Sequence, residues 1–171
     1  MFGFGIIGCG MASSMHARAL ASIDGAQLRG VFDVHSSASS SFAEKYSTTA
    51  YASVEELLAD KSVNAVCVCT PSGHHASFAI MCAKAGKHIV IEKPMALTVS
   101  SADEVIAACS AHNVTGTVIS QLRYAPDVER VRNMVKNGDM GRIVSAQLDM
   151  RYFRTQEYYD QGGWRGTWAL D

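Results

Sequence analysis

The stretch from Phe2 to Ser14 constrains the fold more than any other. A short apolar run, Phe-Gly-Phe-Gly-Ile-Ile, ends in Gly8-Cys9-Gly10, and residues with helical spacing (Met11, Met15, Ala19, Leu20, Ile23) follow at once. Strand, glycine turn and helix in that order are what a dinucleotide-binding unit requires. Gly8 permits the tight turn, and Gly10 lets the backbone approach a pyrophosphate resting on the free amides of the helix N-terminus. The cofactor-binding turn is therefore expected to comprise Gly8, Cys9, Gly10, Met11 and Ala12. Ser13 stands where the strict fingerprint has its third glycine, and is small enough for close helix packing.

About twenty residues further on, the spacing at which an acidic residue reads the adenosine ribose, a second strand, Gln27 to Phe32, ends at Asp33. A carboxylate there can accept both ribose hydroxyls and would repel a 2′-phosphate, so NAD is expected rather than NADP. A cap on the next helix is the other reading of Asp33.

From there strand and helix alternate with little between them. Helices are expected at Ser36 to Tyr46, at Ser53 to Asp60 behind a Ser53/Glu56 capping box, at His75 to Ala85, and at Ser101 to His112 behind a Ser101/Glu104 box. Strands are expected at Thr49 to Tyr51, Asn64 to Cys69, His88 to Ile91 and Val114 to Ile119. The runs Asn-Ala-Val-Cys-Val-Cys and His-Ile-Val-Ile do not alternate polar with apolar, which means a sheet covered on both faces and hence parallel strands with crossover helices. The fold class is α/β, a doubly wound parallel sheet of Rossmann type, with the first strand at the centre beside the fourth. Ligand is expected across the carboxyl ends of those two strands, at the loops Gly8 to Ala12 and Thr70 to His75.

Composition narrows the function classes. In 171 residues, 15 basic and 16 acidic side chains nearly cancel and form no basic block, which argues against nucleic acid as a partner. The five cysteines have no CxxC pairing, which reads as a reducing, cytoplasmic setting. Thr70-Pro71-Ser72-Gly73-His74-His75 interrupts the longest uncharged stretch, so no membrane span is expected. The histidines lack ligand-like spacing and no metal is expected.

The stretch Thr70 to Pro94 carries a more specific pattern. A strand ending in Thr70-Pro71, His75 five residues on, Gly86-Lys87-His88 before the next strand, and Glu92-Lys93-Pro94 closing it together resemble the Gfo/Idh/MocA family of NAD(P)-dependent sugar oxidoreductases. Gly8-Cys9-Gly10 with His16, Gln121-x-Arg123-Tyr124, and Trp164-Arg165-Gly166-Thr167-Trp168 extend the resemblance over the whole chain. It implies that Thr70 and Pro71 line the nicotinamide side of the cleft, that Glu92 reaches the nicotinamide ribose, and that Gln121 lies near the nicotinamide ring. His75 is expected in the cofactor-binding loop, positioning it. Lys93 resembles the family's catalytic lysine, with Lys93-Pro94 a candidate cis bond. The implied reaction is NAD-dependent oxidation of a ring hydroxyl of a sugar, polyol or nucleotide sugar, with Lys93 as acid and base. His16 is read as a packing or capping residue.

After the sixth strand the domain organisation changes. Residues 1-121 are expected to form the Rossmann dinucleotide-binding domain, and 122-171 a linker helix (Asp127 to Asn137, closed by Gly138), a first strand and a loop of an incomplete α+β substrate and oligomerisation domain. Gly141 to Arg154 alternates as a half-buried strand does, and a homo-oligomer is expected through it. The histidine that works beside the lysine in the resembling family is absent, so the chain reads as a cofactor half plus the opening of a substrate half, a poor catalyst by itself. A non-catalytic dinucleotide-binding or dimerising module is the alternative.

Overall fold

The computed structural model describes residues 1–161 and 163–171, which fall into two compact units, Met1–Ile119 with Gly166–Asp171, and Ser120–Arg165. In the first unit the order is β1 (Phe2–Ile7), α1 (Met11–Ala21), β2 (Ala26–Phe32), α2 (Ser36–Tyr46), β3 (Thr49–Ala50), α3 (Val54–Ala59), β4 (Ala65–Val68), α4 (His75–Lys84), β5 (His88–Ile91), α5 (Val99–Ala111) and β6 (Gly116–Val118). The six strands lie in the order β3-β2-β1-β4-β5-β6, every pair parallel. Chain order reverses between β1 and β4, which creates the switch point expected from the sequence.

Period-two alternation sends neighbouring residues to opposite faces. Ile7, Val66 and Val68 pack with Leu57, Ala79, Cys82 and Val105 on the α3–α4–α5 face, whereas Ile6 and Cys67 pack with Ala17, Val31, Phe42 and Ala43 on the α1–α2 face. Burial on both faces is why these strands carry no polar alternation. Below the sheet, Lys87 buries its stem and donates from Nζ to the carbonyls of Asp60 (2.8 Å) and Val63 (2.7 Å).

Three local expectations need correction. Of the helically spaced set Met11, Met15, Ala19, Leu20 and Ile23, only Leu20 is buried; Met11 is 74% exposed, and the inward face of α1 is completed by Ser13 and Ala17. Where α1 starts against the end of β1 its inner face carries the small residues Ser13 and Ala17, and Leu20 follows one turn later. Helix α5 begins two residues before Ser101, because Thr98 is its cap and accepts from the Ser101 amide at 3.1 Å. At α3, Ser53 accepts from the Glu56 amide as expected, but the Glu56 carboxylate returns to the amide of Ala52 rather than of Ser53.

In the second unit Pro126 opens α6 (Pro126–Asn137), Gly138 ends it at φ +80°, and α7 (Gln156–Asp160) follows. The strand expected over Gly141 to Arg154 is not formed: residues 143–155 have no regular structure and those from 141 to 154 are exposed. An alternating pattern yields a strand only where a neighbour completes the hydrogen-bond ladder, and among the described residues of this unit there is no other strand. No helix among the described residues is long and apolar enough to cross a membrane.

Candidate active site

The last rungs of the sheet set the site in a row. Gly8 donates its amide to Phe32 O (2.8 Å), Cys69 to Ile7 O (2.8 Å) and Glu92 to Val68 O (3.0 Å), so the chain leaves β1, β4 and β5 side by side. Gly8 turns at φ +92°, and a Cβ on it would stand 2.7 Å from Cys69 O; the neighbouring strand end leaves no room for one. Gly10 is the N-cap of α1, without a side-chain cap, and a Cβ built there meets nothing within 4 Å. The amides of the first helical turn, from Met11 and Ala12 onward, thus have no side-chain acceptor at the cap. Ser13, fully buried, donates its hydroxyl to Gly10 O and closes the turn from behind.

Asp33 serves both readings offered by the sequence only in part. Its Oδ2 accepts from the Cys9 amide (2.8 Å) and its Oδ1 from the His35 amide (2.8 Å), while the N-cap of α2 is His35. The carboxylate therefore braces the glycine turn and shapes the β2–α2 bend instead of capping the helix. Each oxygen keeps lone-pair capacity for a further donor.

Cys9 fills the turn as a neutral thiol. Burial first, and then the Asp33 charge, push it up to about 12. Burial likewise pushes Cys67 and Cys82 up to about 12, and all five cysteines are unpaired.

After β4, Thr70 and Pro71 lead into a 3₁₀ turn (Ser72–His74) and then α4. Within the first unit, Gly73 donates its amide to Leu170 O (3.1 Å). Thr70 Oγ1 is buried and has no hydrogen-bond partner. His75 is buried between two carbonyls, with Nε2 2.8 Å from Thr70 O and Nδ1 2.6 Å from Pro94 O. It thereby ties the loop after β4 to the loop after β5, a positioning contact. The Lys93-Pro94 bond is cis.

Glu92 lies at the end of β5 with its side chain 17% exposed, and His16 of α1, 12% exposed, contacts it at 2.8 Å through Nε2 and Oε1. Oε2 accepts from the Lys93 amide at 3.3 Å. The His16 hydrogen bond outweighs burial and holds the Glu92 carboxyl below the usual carboxylate range. Lys93 itself is exposed, and its ammonium has no hydrogen-bonded partner among the described residues. Gln121 opens a 3₁₀ turn (Gln121–Tyr124) in the other compact unit and is exposed.

The residue missed by sequence reasoning is His16. Its place on one helix face with Ser13, Ala17 and Leu20, at i, i+3, i+4 and i+7, is a sequence signal that it faces inward, but not that it meets Glu92.

Residues 2–120 match the model of the oxidoreductase family with NAD-binding Rossmann fold. Over 139 residues the chain is 32% identical to the myo-inositol 2-dehydrogenase of Thermotoga maritima, a match covering 81% of this chain and 42% of that protein. The WlbA dehydrogenase of Bordetella pertussis, solved with NADH and UDP-GlcNAcA, is similar at a TM-score of 0.95 and 33% identity, over 99% of this chain and 51% of that one. The UDP-N-acetylglucosamine 3-dehydrogenase GnnA of Acidithiobacillus ferrooxidans is similar at a TM-score of 0.71 and 32% identity, over 77% of this chain and 41% of that one. The chain spans 40 to 42% of the length of the first three curated relatives. With the strand order, the glycine turn and Glu92-Lys93-Pro94 already in place, the match over residues 2–120 makes this chain a member of the Gfo/Idh/MocA oxidoreductases, whose Rossmann fold binds NAD.

Proposed function

We propose that this chain holds NAD across the ends of β1, β4 and β5 and contributes the proton-transfer lysine of a dehydrogenase that oxidises a ring hydroxyl of a sugar, most specifically of a nucleotide sugar. The observation that carries the reading is the convergence, in one row, of an uncapped helix N-terminus, an orphaned buried hydroxyl on Thr70, and Glu92 followed by Lys93. Open space at Gly10 and an unsatisfied Thr70 Oγ1 fit a bound dinucleotide, because a buried hydroxyl without a partner is costly unless a ligand satisfies it. The amides after Gly10 would hold the pyrophosphate and Asp33 the adenosine ribose, with Thr70, Pro71 and Glu92 on the nicotinamide half. Asp33, bearing a negative charge where a 2′-phosphate would lie, favours NAD over NADP.

The bound nicotinamide supplies the hydride acceptor. Lys93 in its amine form takes the proton of the substrate hydroxyl as the carbon gives up hydride, and its ammonium form returns that proton in the reverse direction. His75 ties the loop after β4 to the loop that carries this lysine. The nucleotide-sugar preference is supported by the likeness over nearly the whole chain to a dehydrogenase solved with UDP-GlcNAcA. We read residues 1–121 as the dinucleotide-binding domain and 122–171 as the opening of the substrate-binding part.

Titration with NADH and NADPH, followed by NADH formation from NAD with UDP-sugars, sugar phosphates and polyols, tests this. Saturable binding that favours NADH is expected, and Lys93→Met is expected to keep NADH affinity within about threefold while lowering turnover by roughly 10²–10⁴-fold. Failure to bind either nucleotide would overturn the cofactor reading. Binding without turnover on any of these substrates would favour the non-catalytic module.

A further inference from the structure

The contact between His16 and Glu92 joins residues 76 positions apart and has no part in the fold's hydrogen-bond ladder. It crosses the mouth of the switch point: His16 stands in the second turn of α1, directly behind the glycine turn, and Glu92 ends β5 on the far side of β4. A dinucleotide whose pyrophosphate rests on the N-terminus of α1 and whose adenosine ribose lies toward Asp33 on β2 must extend its other ribose toward β4 and β5. On the cofactor reading given above, on which this inference rests, Glu92 is the carboxylate that meets that second ribose.

We propose that His16 is a positioning residue for the nicotinamide half of the cofactor: its Nε2–H occupies Glu92 Oε1 and so presents Oε2 to a ribose hydroxyl. Three observations support it. Both side chains are mostly withdrawn from water, so the bond is not exchanged freely for solvent. The carboxylate is ionised under its influence and is therefore an acceptor only, which makes His16 the donor and places a hydrogen on Nε2. The remaining oxygen has only a long 3.3 Å contact, to the Lys93 amide, so it retains capacity for a stronger donor. Without His16 the carboxylate would be free to rotate toward the Lys93 ammonium beside it, taking its acceptor away from the ribose and its charge onto the lysine.

The test compares two ligands on two variants of the whole chain. ADP carries the adenosine, its ribose and the diphosphate but no second ribose, whereas NADH carries both halves. His16→Leu keeps a side chain of similar bulk and removes the donor, while His16→Gln restores an N–H donor at a similar reach. The expected result is that H16L weakens NADH roughly tenfold or more, the scale of a hydrogen bond to a charged group. ADP affinity should stay within twofold, and H16Q should recover most of the NADH loss. Equal loss of ADP and NADH in H16L would mean that His16 supports the turn or the helix instead, and would overturn the proposal. So would H16L that binds NADH as wild type does. A wild-type chain that binds ADP but no NADH beyond it would overturn the cofactor reading itself and this proposal with it, an outcome visible before any variant is made.

Discussion

Gly10→Ala separates the folding role of the glycine turn from its binding role. The backbone there has φ −85° and ψ −159°, extended geometry open to any residue, and an added Cβ meets no heavy atom within 4 Å. Nothing in the folded chain resists the methyl group, and alanine has fewer unfolded conformations to lose. The substitution should therefore stabilise the fold by about 0.4–1 kcal/mol, which for a chain of this size is a rise of roughly 1–4 °C in Tm. The same methyl group projects into the space through which the backbone must approach a pyrophosphate. Overpacking by a methyl-sized group costs about 1–3 kcal/mol, so NADH should weaken by roughly 5- to 150-fold. Gly8→Ala is the contrast: with φ +92° and Cys69 O only 2.7 Å from the new Cβ, it should lower the melting temperature outright. Thermal melting and a fluorescence titration on the same samples measure both quantities. A G10A protein that binds NADH like wild type would refute the assignment of the α1 N-terminus as the phosphate site, and one that melts well below wild type would refute the open-space argument.

Asp33→Ala should weaken NADH more than NADPH and cost about 0.5–1.5 kcal/mol of stability, because the half-buried Cys9 amide loses its acceptor; equal losses of the two nucleotides would remove Asp33 from ribose reading. His75→Leu removes the imidazole bridge between the carbonyls of Thr70 and Pro94 and should cost about 0.5–1.5 kcal/mol in a urea unfolding experiment, and a variant as stable as wild type would show that the two contacts do not hold the loops. Stability should also carry an acid slope from Glu92: its folded-state value lies below that of an unfolded chain, about 4.3, so the contribution is complete above that pH and is lost as pH falls through the folded value. H16L should flatten this slope below about pH 4.3, and an unchanged slope would assign it to other carboxylates.

How much of this was legible in the sequence follows from where the information is local. Unbroken apolar runs such as Asn64 to Cys69 declared a sheet buried on both faces, and the order of strands and helices then left one topology that satisfies right-handed crossovers. The glycine turn was legible because its chemistry is contained in three adjacent residues. The inner face of α1 was legible only at Leu20: Met11, Met15 and Ile23 of the helically spaced set are exposed, and the face nearest the strand end is taken by the small residues Ser13 and Ala17. The Gly141 to Arg154 alternation misled for a different reason: period two records which face a residue would take in a sheet, but not whether a partner strand exists. His16 was beyond sequence reasoning on hydrophobic spacing because its partner lies on β5, and the contact exists only once β1, β4 and β5 are set side by side.

That side-by-side setting gives one short segment control over both carboxylates of the site. Cys9, in the turn, donates its amide to Asp33 from β2 at 2.8 Å, and His16, in the helix, contacts Glu92 from β5 at the same distance. The segment from Cys9 to His16 thus brackets the cleft with an acceptor held on each flank and bare helix amides between them. Negative charge fixed on both sides of a positive helix terminus suits a ligand with hydroxyls at its two ends and phosphates in the middle, the charge order of a dinucleotide. It also explains why neither acid needs a lysine or arginine partner: an ion pair would consume the lone pairs that the hydroxyls require, whereas two amide donors on Asp33, and one imidazole with one long amide contact on Glu92, orient each carboxylate and leave acceptor capacity free.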